Sequence, residues 1–299
     1  LYSSAASDVY KRQRIQTSGY AACGIYHPQY GTLTIKYSAG IPNIVAVNGA
    51  GIVMRGGTLD YRAGNIIATG DANFTGKVGD SRVVVGTSGI VYDRDCGYYD
   101  AANAKITIPS SGEKKVVGAK AAIQVINDKA QDISGVFDIQ GGNFSSDVSA
   151  YVNTKEREVF EHEGTYYVGK FKAQVVGGLK YEMASTAISK APAGSTVILL
   201  NDCEEGNLGP SVSKKVTIDL NGKNLTLSSM SVDKGGNLTI KDSGTGGTYS
   251  GLYVNYSVRV KQGGIFNLES GTLTNISSDT RTSNVVVWVE GGTAKKPAA

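Results

Sequence analysis

Two aspartates set two residues apart, Asp93 and Asp95 in VYDRDCGYYD, are the best candidates in the chain for holding a metal ion. On a strand they share one face and Arg94 points the other way, with Asp100 close behind. Clustered carboxylate oxygens suit a hard cation such as calcium. A solvated turn explains the same residues without any ion. Glycosidic cleavage would need two carboxylates at a defined separation across the bond. Asp93, Asp95 and Arg259 are what remains for a hydrolase or lyase, and Arg259 and Lys261 read as outward neighbours on one strand. No catalytic set is assigned, and no cofactor beyond a possible calcium ion.

Aromatic residues offer a second kind of chemistry, because flat rings stack on sugar rings and tyrosine is frequent on binding surfaces. Tyr249, Tyr253 and Tyr256 fall in one loop-like stretch, and Tyr92, Tyr98 and Tyr99 in another. Trp288, the single tryptophan, alternates with Val287 and Val289 and so faces away from them. Tyrosines covering junctions between loops and strands are the plainer alternative. The segment from Asp242 to Gly247, DSGTGG, lacks the lysine and following helix of a phosphate loop and reads as a turn. Cys23, Cys96 and Cys203 have no metal-ligand spacing and read as small buried residues. The sequons at Asn73, Asn143, Asn224, Asn237, Asn255 and Asn275 fall out of polar alternation and carry no glycosylation meaning.

The elements that would position these residues are short strands. GVFDIQGGNFS, Gly135 to Ser145, returns without a gap as GIFNLESGTLT, Gly264 to Thr274, and GIVMRGGTL from Gly51 fits with one residue dropped. A strand, a glycine corner and a second strand, repeated, is the unit of a solenoid, whose apolar faces are buried only by stacking. Candidate strands of a first module, residues 14–152, are Thr32–Lys36, Ile44–Val47, Ile52–Arg55, Val83–Val85, Ile90–Tyr92, Lys105–Ile108, Ala122–Ile126 and Val136–Ile139. A charged loop and a β-hairpin over 153–172 follow. Residues 173–200 read as strand, helix, strand: Ala184, Ala187, Ile188 and Ala191 make one apolar helical face, ended by Pro192 and Gly194. An amphipathic helix there caps the open end of a second module over 201–294. In it, glycine pairs at 235, 263 and 291 recur every 28 residues, and Val216, Ile218, Leu220, Leu225, Leu227, Leu238 and Ile240 alternate inward. Residues 295–299 form a tail.

Ser3 to Gln13, SSAASDVYKRQ, back-translates to a transposase sequencing adapter read in frame, so Leu1 to Gln13 is set aside and the chain is taken as part of a longer one. The whole sequence carries a formal charge of +4. Basic and acidic residues are interspersed, which leaves no footprint for nucleic acid. No apolar run approaches the length of a membrane span.

With APAGSTVILLND, VTIDLNGKNLTL, GGNLTIKDSGTGG and GGNFSSDVSAYV in view, the chain resembles the pectin-lyase-like surface proteins, secreted repeat proteins of anaerobic, mostly Gram-positive bacteria. The resemblance implies an all-β fold, a right-handed parallel β-helix of three sheets in two tandem modules, and an extracellular or cell-surface location. It is specific for fold and weak for activity. The expected role is a non-enzymatic, adhesin-like binder of polysaccharide or host glycoprotein. A lyase or hydrolase for acidic polysaccharide, and a structural spacer, are the alternatives.

Overall fold

The computed structural model describes residues 14–18, 23–28, 30–37, 40–78, 82–96, 101–278 and 284–296; Leu1 to Gln13 lie outside them. The chain divides into two compact units, one ending at Gly169 and the other beginning at Lys170. Among the described residues both are almost entirely β, built from solenoid-like parallel sheets with no closed barrel.

In the first unit successive strands are dealt in rotation to three sheets. Asn43–Val47, Ala50–Met54 and Thr58–Tyr61 each join a different sheet, and each lies parallel to the strand one round earlier and one round later. Along one sheet, positions 15, 44, 66, 116 and 144 stand side by side. The long round between 66 and 116 carries an inserted antiparallel hairpin, Thr75–Val78 with Arg82–Val85. The stretch expected as a strand at Val83–Val85 is therefore strand, but it belongs to this insertion and not to a parallel sheet. At the other end Thr165–Gly169 pairs antiparallel with both Gly142–Phe144 and Glu158–His162. This hairpin covers what would otherwise be an open sheet edge. The second half of the charged run NTKEREVF is thus strand from Glu158 onward, because Val159 packs on the core.

The second unit repeats the rotation. Ser195–Leu199, Cys203–Glu205 and Ser211–Val212 form its first round, followed by Lys215–Asp219, Asn224–Leu227 and Met230–Val232. The third round is Asn237–Lys241, Thr248–Gly251 and Tyr256–Lys261, and the fourth Ile265–Leu268, Thr272–Asn275 and Val285–Glu290. Side chains at Val216, Ile218, Leu220, Leu225, Leu227, Leu238 and Ile240 all point into one core and are buried. Alternation of apolar and polar residues explains this, since every second side chain on a strand shares a face.

The three copies of the sequence repeat all fold as strand, corner, strand, yet at different corners. Ala50–Met54 to Thr58–Tyr61 turns from the second sheet to the third, and Phe137–Ile139 to Gly142–Phe144 from the third to the first. Ile265–Leu268 to Thr272–Asn275 turns from the first sheet of its unit to the second. The glycine pairs do different work. Gly263 has φ near 76°, where a side chain is strained. A Cβ on Gly264 would sit 2.6 Å from the Val232 carbonyl oxygen of the previous round.

Helix α1, Ala184–Lys190, packs against the strands of the first round and against Ala173–Val175 and Lys180–Tyr181. Its buried face is the expected one, Ala184, Ala187, Ile188 and the following Ala191. No side chain of its own caps its first turn. Instead the buried Glu205 carboxylate, on strand Cys203–Glu205, accepts hydrogen bonds from the Ala184 N–H (2.6 Å) and the Ser185 N–H (3.0 Å). The helix is thereby bolted to the first round.

Candidate functional site

The aromatic residues singled out from the sequence separate into two groups. Tyr249 is on a strand, not in a loop: it stands between Leu225 and Leu273 in neighbouring strands. Thr248 and Ser250 take the outward positions, so alternation forces Tyr249 into the core, where it is fully buried. Its hydroxyl donates to the Ser257 carbonyl at 2.8 Å, and burial pushes its pKa far up. Tyr92 is likewise buried, between Met54 and Val125, with its hydroxyl donating to the Ala101 carbonyl at 2.5 Å. Burial pushes that phenol up to about 12. Neither ring can meet a ligand. Tyr98 and Tyr99 lie outside the described residues.

Tyr253 and Tyr256 behave differently. Tyr253 is 40% exposed, and its ring centroid is 5.0 Å from that of Tyr256. Tyr256 in turn meets the 44% exposed Trp288 at 6.1 Å, edge to face. The register explains the grouping. Arg259 pairs with Trp288 on adjacent parallel strands, and Lys261 with Glu290, so these four side chains share the outer face of one sheet. Arg259 lies over the Tyr256 ring at 5.9 Å and donates through Nε (2.8 Å) and Nη2 (2.5 Å) to Glu290 Oε2. Hydrogen bonding to Glu290, then to the Tyr256 hydroxyl, raises the Arg259 pKa further. Lys261 forms its own ion pair with Asp233 at 2.8 Å. The aromatic loop is pinned from behind: Tyr253 N–H donates to the Ser228 carbonyl, and Asn275 Nδ2 donates to the carbonyls of Tyr253 and Val285. Three rings with a guanidinium and a carboxylate beside them can stack on apolar ring faces and hydrogen-bond hydroxyls.

No protein-family model, curated protein or solved structure matches the chain. The site is therefore read from its own geometry.

The carboxylates expected to hold calcium are engaged elsewhere. Asp93 ends strand Ser88–Asp93 and is buried against Arg55, with Oδ2 3.2 Å from Nε; Arg55 also donates to the Tyr26 hydroxyl at 2.9 Å. Asp95 lies past the strand in a turn, so the shared strand face expected for the pair does not extend to it. Its Oδ2 accepts from the Asp128 N–H at 2.5 Å and its Oδ1 from Gln131 Nε2 at 2.9 Å. Burial pushes this carboxyl up, but the Gln131 and backbone donors outweigh that and hold it below the usual range. Among the described residues no group of three or more His, Cys, Asp or Glu is placed to hold a metal. Arg259, the third residue considered for catalysis, is tied to Glu290.

Other expectations land as structural features. DSGTGG is a turn wrapped around Asp242, whose carboxylate accepts from the N–H groups of Gly222, Gly244 and Gly247. The three cysteines are free thiols, Cys203 buried and the other two partly so. Glu290 was missed as a site residue. The signal was present: VRVK at 258–261 and VWVE at 287–290 align with Arg259 on Trp288 and Lys261 on Glu290. That places opposite charges diagonally across two strands.

Proposed function

We propose that this chain is a non-enzymatic glycan-binding protein of the bacterial cell surface, built as two tandem right-handed parallel β-helices of the pectin-lyase-like class. The rotation of strands among three parallel sheets in each unit supports the β-helix reading, as does helix α1 lying on the first round of the second unit. The binding reading is carried by one observation: the exposed Tyr253 and Trp288 stand with the half-buried Tyr256 between them, beside the Arg259–Glu290 pair. Apolar rings kept at the surface next to oriented polar groups are a pattern of binding sites. Commitment of Asp93 to Arg55, and of Asp95 to N–H donors, favours binding over hydrolysis.

A glycan array probed with the whole chain and with a Tyr253→Ala/Trp288→Ala double variant tests this. Binding by the parent chain that the double variant loses, with its circular dichroism unchanged, is the expected result. Equal binding by both would place the ligand site elsewhere and end the proposal.

A further inference from the structure

We infer that the Tyr253–Tyr256–Trp288 surface takes a single, solvated chain of neutral sugars, in preference to acidic polysaccharide or a crystalline polysaccharide face. This rests on the glycan-binding reading and names its ligand class.

Charge balance is the first ground. Among the described residues, both cations on this part of the face already have carboxylate partners, Arg259 with Glu290 and Lys261 with Asp233. The N–H groups of Arg259 that Glu290 leaves over stand beside that carboxylate, so an acidic sugar reaching them meets a like charge. Paired charges of both signs also leave no local excess of positive charge to draw in a polyanion. A neutral sugar meets no such repulsion. The bonds from Arg259 use only Oε2 of Glu290, and Oε1 has no partner among the described residues. That oxygen can accept a sugar hydroxyl, and acceptance by an ionised carboxylate makes a stronger hydrogen bond than a neutral acceptor would.

Ring geometry is the second ground. Tyr253 and Tyr256 are inclined at 53° and Tyr256 and Trp288 at 80°. The rings form walls that change direction along the surface, not one plate. A flat crystalline face can lie on one such ring at a time. A single chain in solution can turn its successive sugar rings to follow them.

Calorimetric titration of the whole chain with soluble neutral glucan, mannan and galactan oligosaccharides, and with polygalacturonate, tests the inference, alongside depletion by microcrystalline cellulose. At least one neutral oligosaccharide should bind with an affinity that barely changes between low and high salt, because no net charge is neutralised. Glu290→Ala should weaken that binding about tenfold by removing a charged acceptor. The same change frees Arg259 and should give polygalacturonate a new, salt-sensitive affinity, whereas Glu290→Gln, which keeps an acceptor oxygen, should lose less neutral binding. Tighter binding of polygalacturonate to the parent chain, or depletion by cellulose, overturns the ligand class and leaves glycan binding standing. Silence with every ligand overturns both.

Discussion

Glu205→Ala should loosen the second unit more than any exposed substitution. The first four N–H groups of a helix have no partner within it, and in α1 two of them, Ala184 and Ser185, depend on the buried Glu205 carboxylate. Removing it orphans both donors in a buried place, at about 1–3 kcal/mol each. Relief of the buried charge offsets part of this, leaving a net loss of about 2–4 kcal/mol, at the upper end of or above the usual effect of losing an N-cap. For a unit of this size that corresponds to a melting-point drop on the order of 10 °C. Glu205→Gln keeps one oxygen for one N–H but presents an amide donor to the other, so it should fall between the parent and Ala. Urea unfolding followed by circular dichroism gives the energies, and hydrogen exchange over residues 176–192 gives the location. Exchange at Ala184 and Ser185 should quicken first. A loss under about 0.5 kcal/mol, the ordinary range for surface changes, with unchanged exchange at those amides, would refute the claim that Glu205 fastens the helix.

Gly264→Ala should cost about 1–3 kcal/mol by overpacking, since its Cβ would press on the Val232 carbonyl; a thermal melt as high as the parent's would contradict that. Asp93→Ala should cost about 3–5 kcal/mol, because it leaves Arg55 buried without its carboxylate, and denaturant midpoints measure it. Asp219 responds to acid. Burial raises its pKa, but donors from Ser243 and Asn221 and the Lys241 ammonium outweigh this and hold it below the usual carboxylate range. A depressed native pKa contributes stability in full above the unfolded value near 4, and that stability is lost as pH falls through the native value. Asp219→Asn should therefore shrink the gap in stability between pH 7 and pH 3, and an identical pH profile in the variant would remove Asp219 from the explanation.

Local periodicity made much of this chain legible. The 3.6-residue spacing of Ala184, Ala187, Ile188 and Ala191 fixed the helix and its buried face, and alternation fixed Val216, Ile218 and Leu220 as core. What stayed hidden depends on partners distant in sequence. Arg55 shows nothing beside it that marks a buried cation; its partner is Asp93, one round later. Glu205 reads as an ordinary charged residue until the helix folds back onto its strand. Tyr249 was misplaced because its strand follows the glycine-rich turn ending at Gly247, which hides where alternation begins. Val83–Val85 has the residues of a parallel strand, and only the nearby complement at Thr75–Val78 makes it a hairpin. At the aromatic surface, Tyr253 and Tyr256 are neighbours in sequence and their rings also meet in space. Trp288 and Glu290 join them through register, which places Val285–Glu290 beside Tyr256–Lys261.

Trp288 is the only tryptophan in the chain, so its fluorescence reports on this surface alone. Titrating the protein with soluble neutral oligosaccharides should shift and saturate that emission, with Tyr253→Ala weakening the midpoint. Oligosaccharides that bind by calorimetry while leaving the Trp288 emission untouched would show that these rings are not where sugar binds.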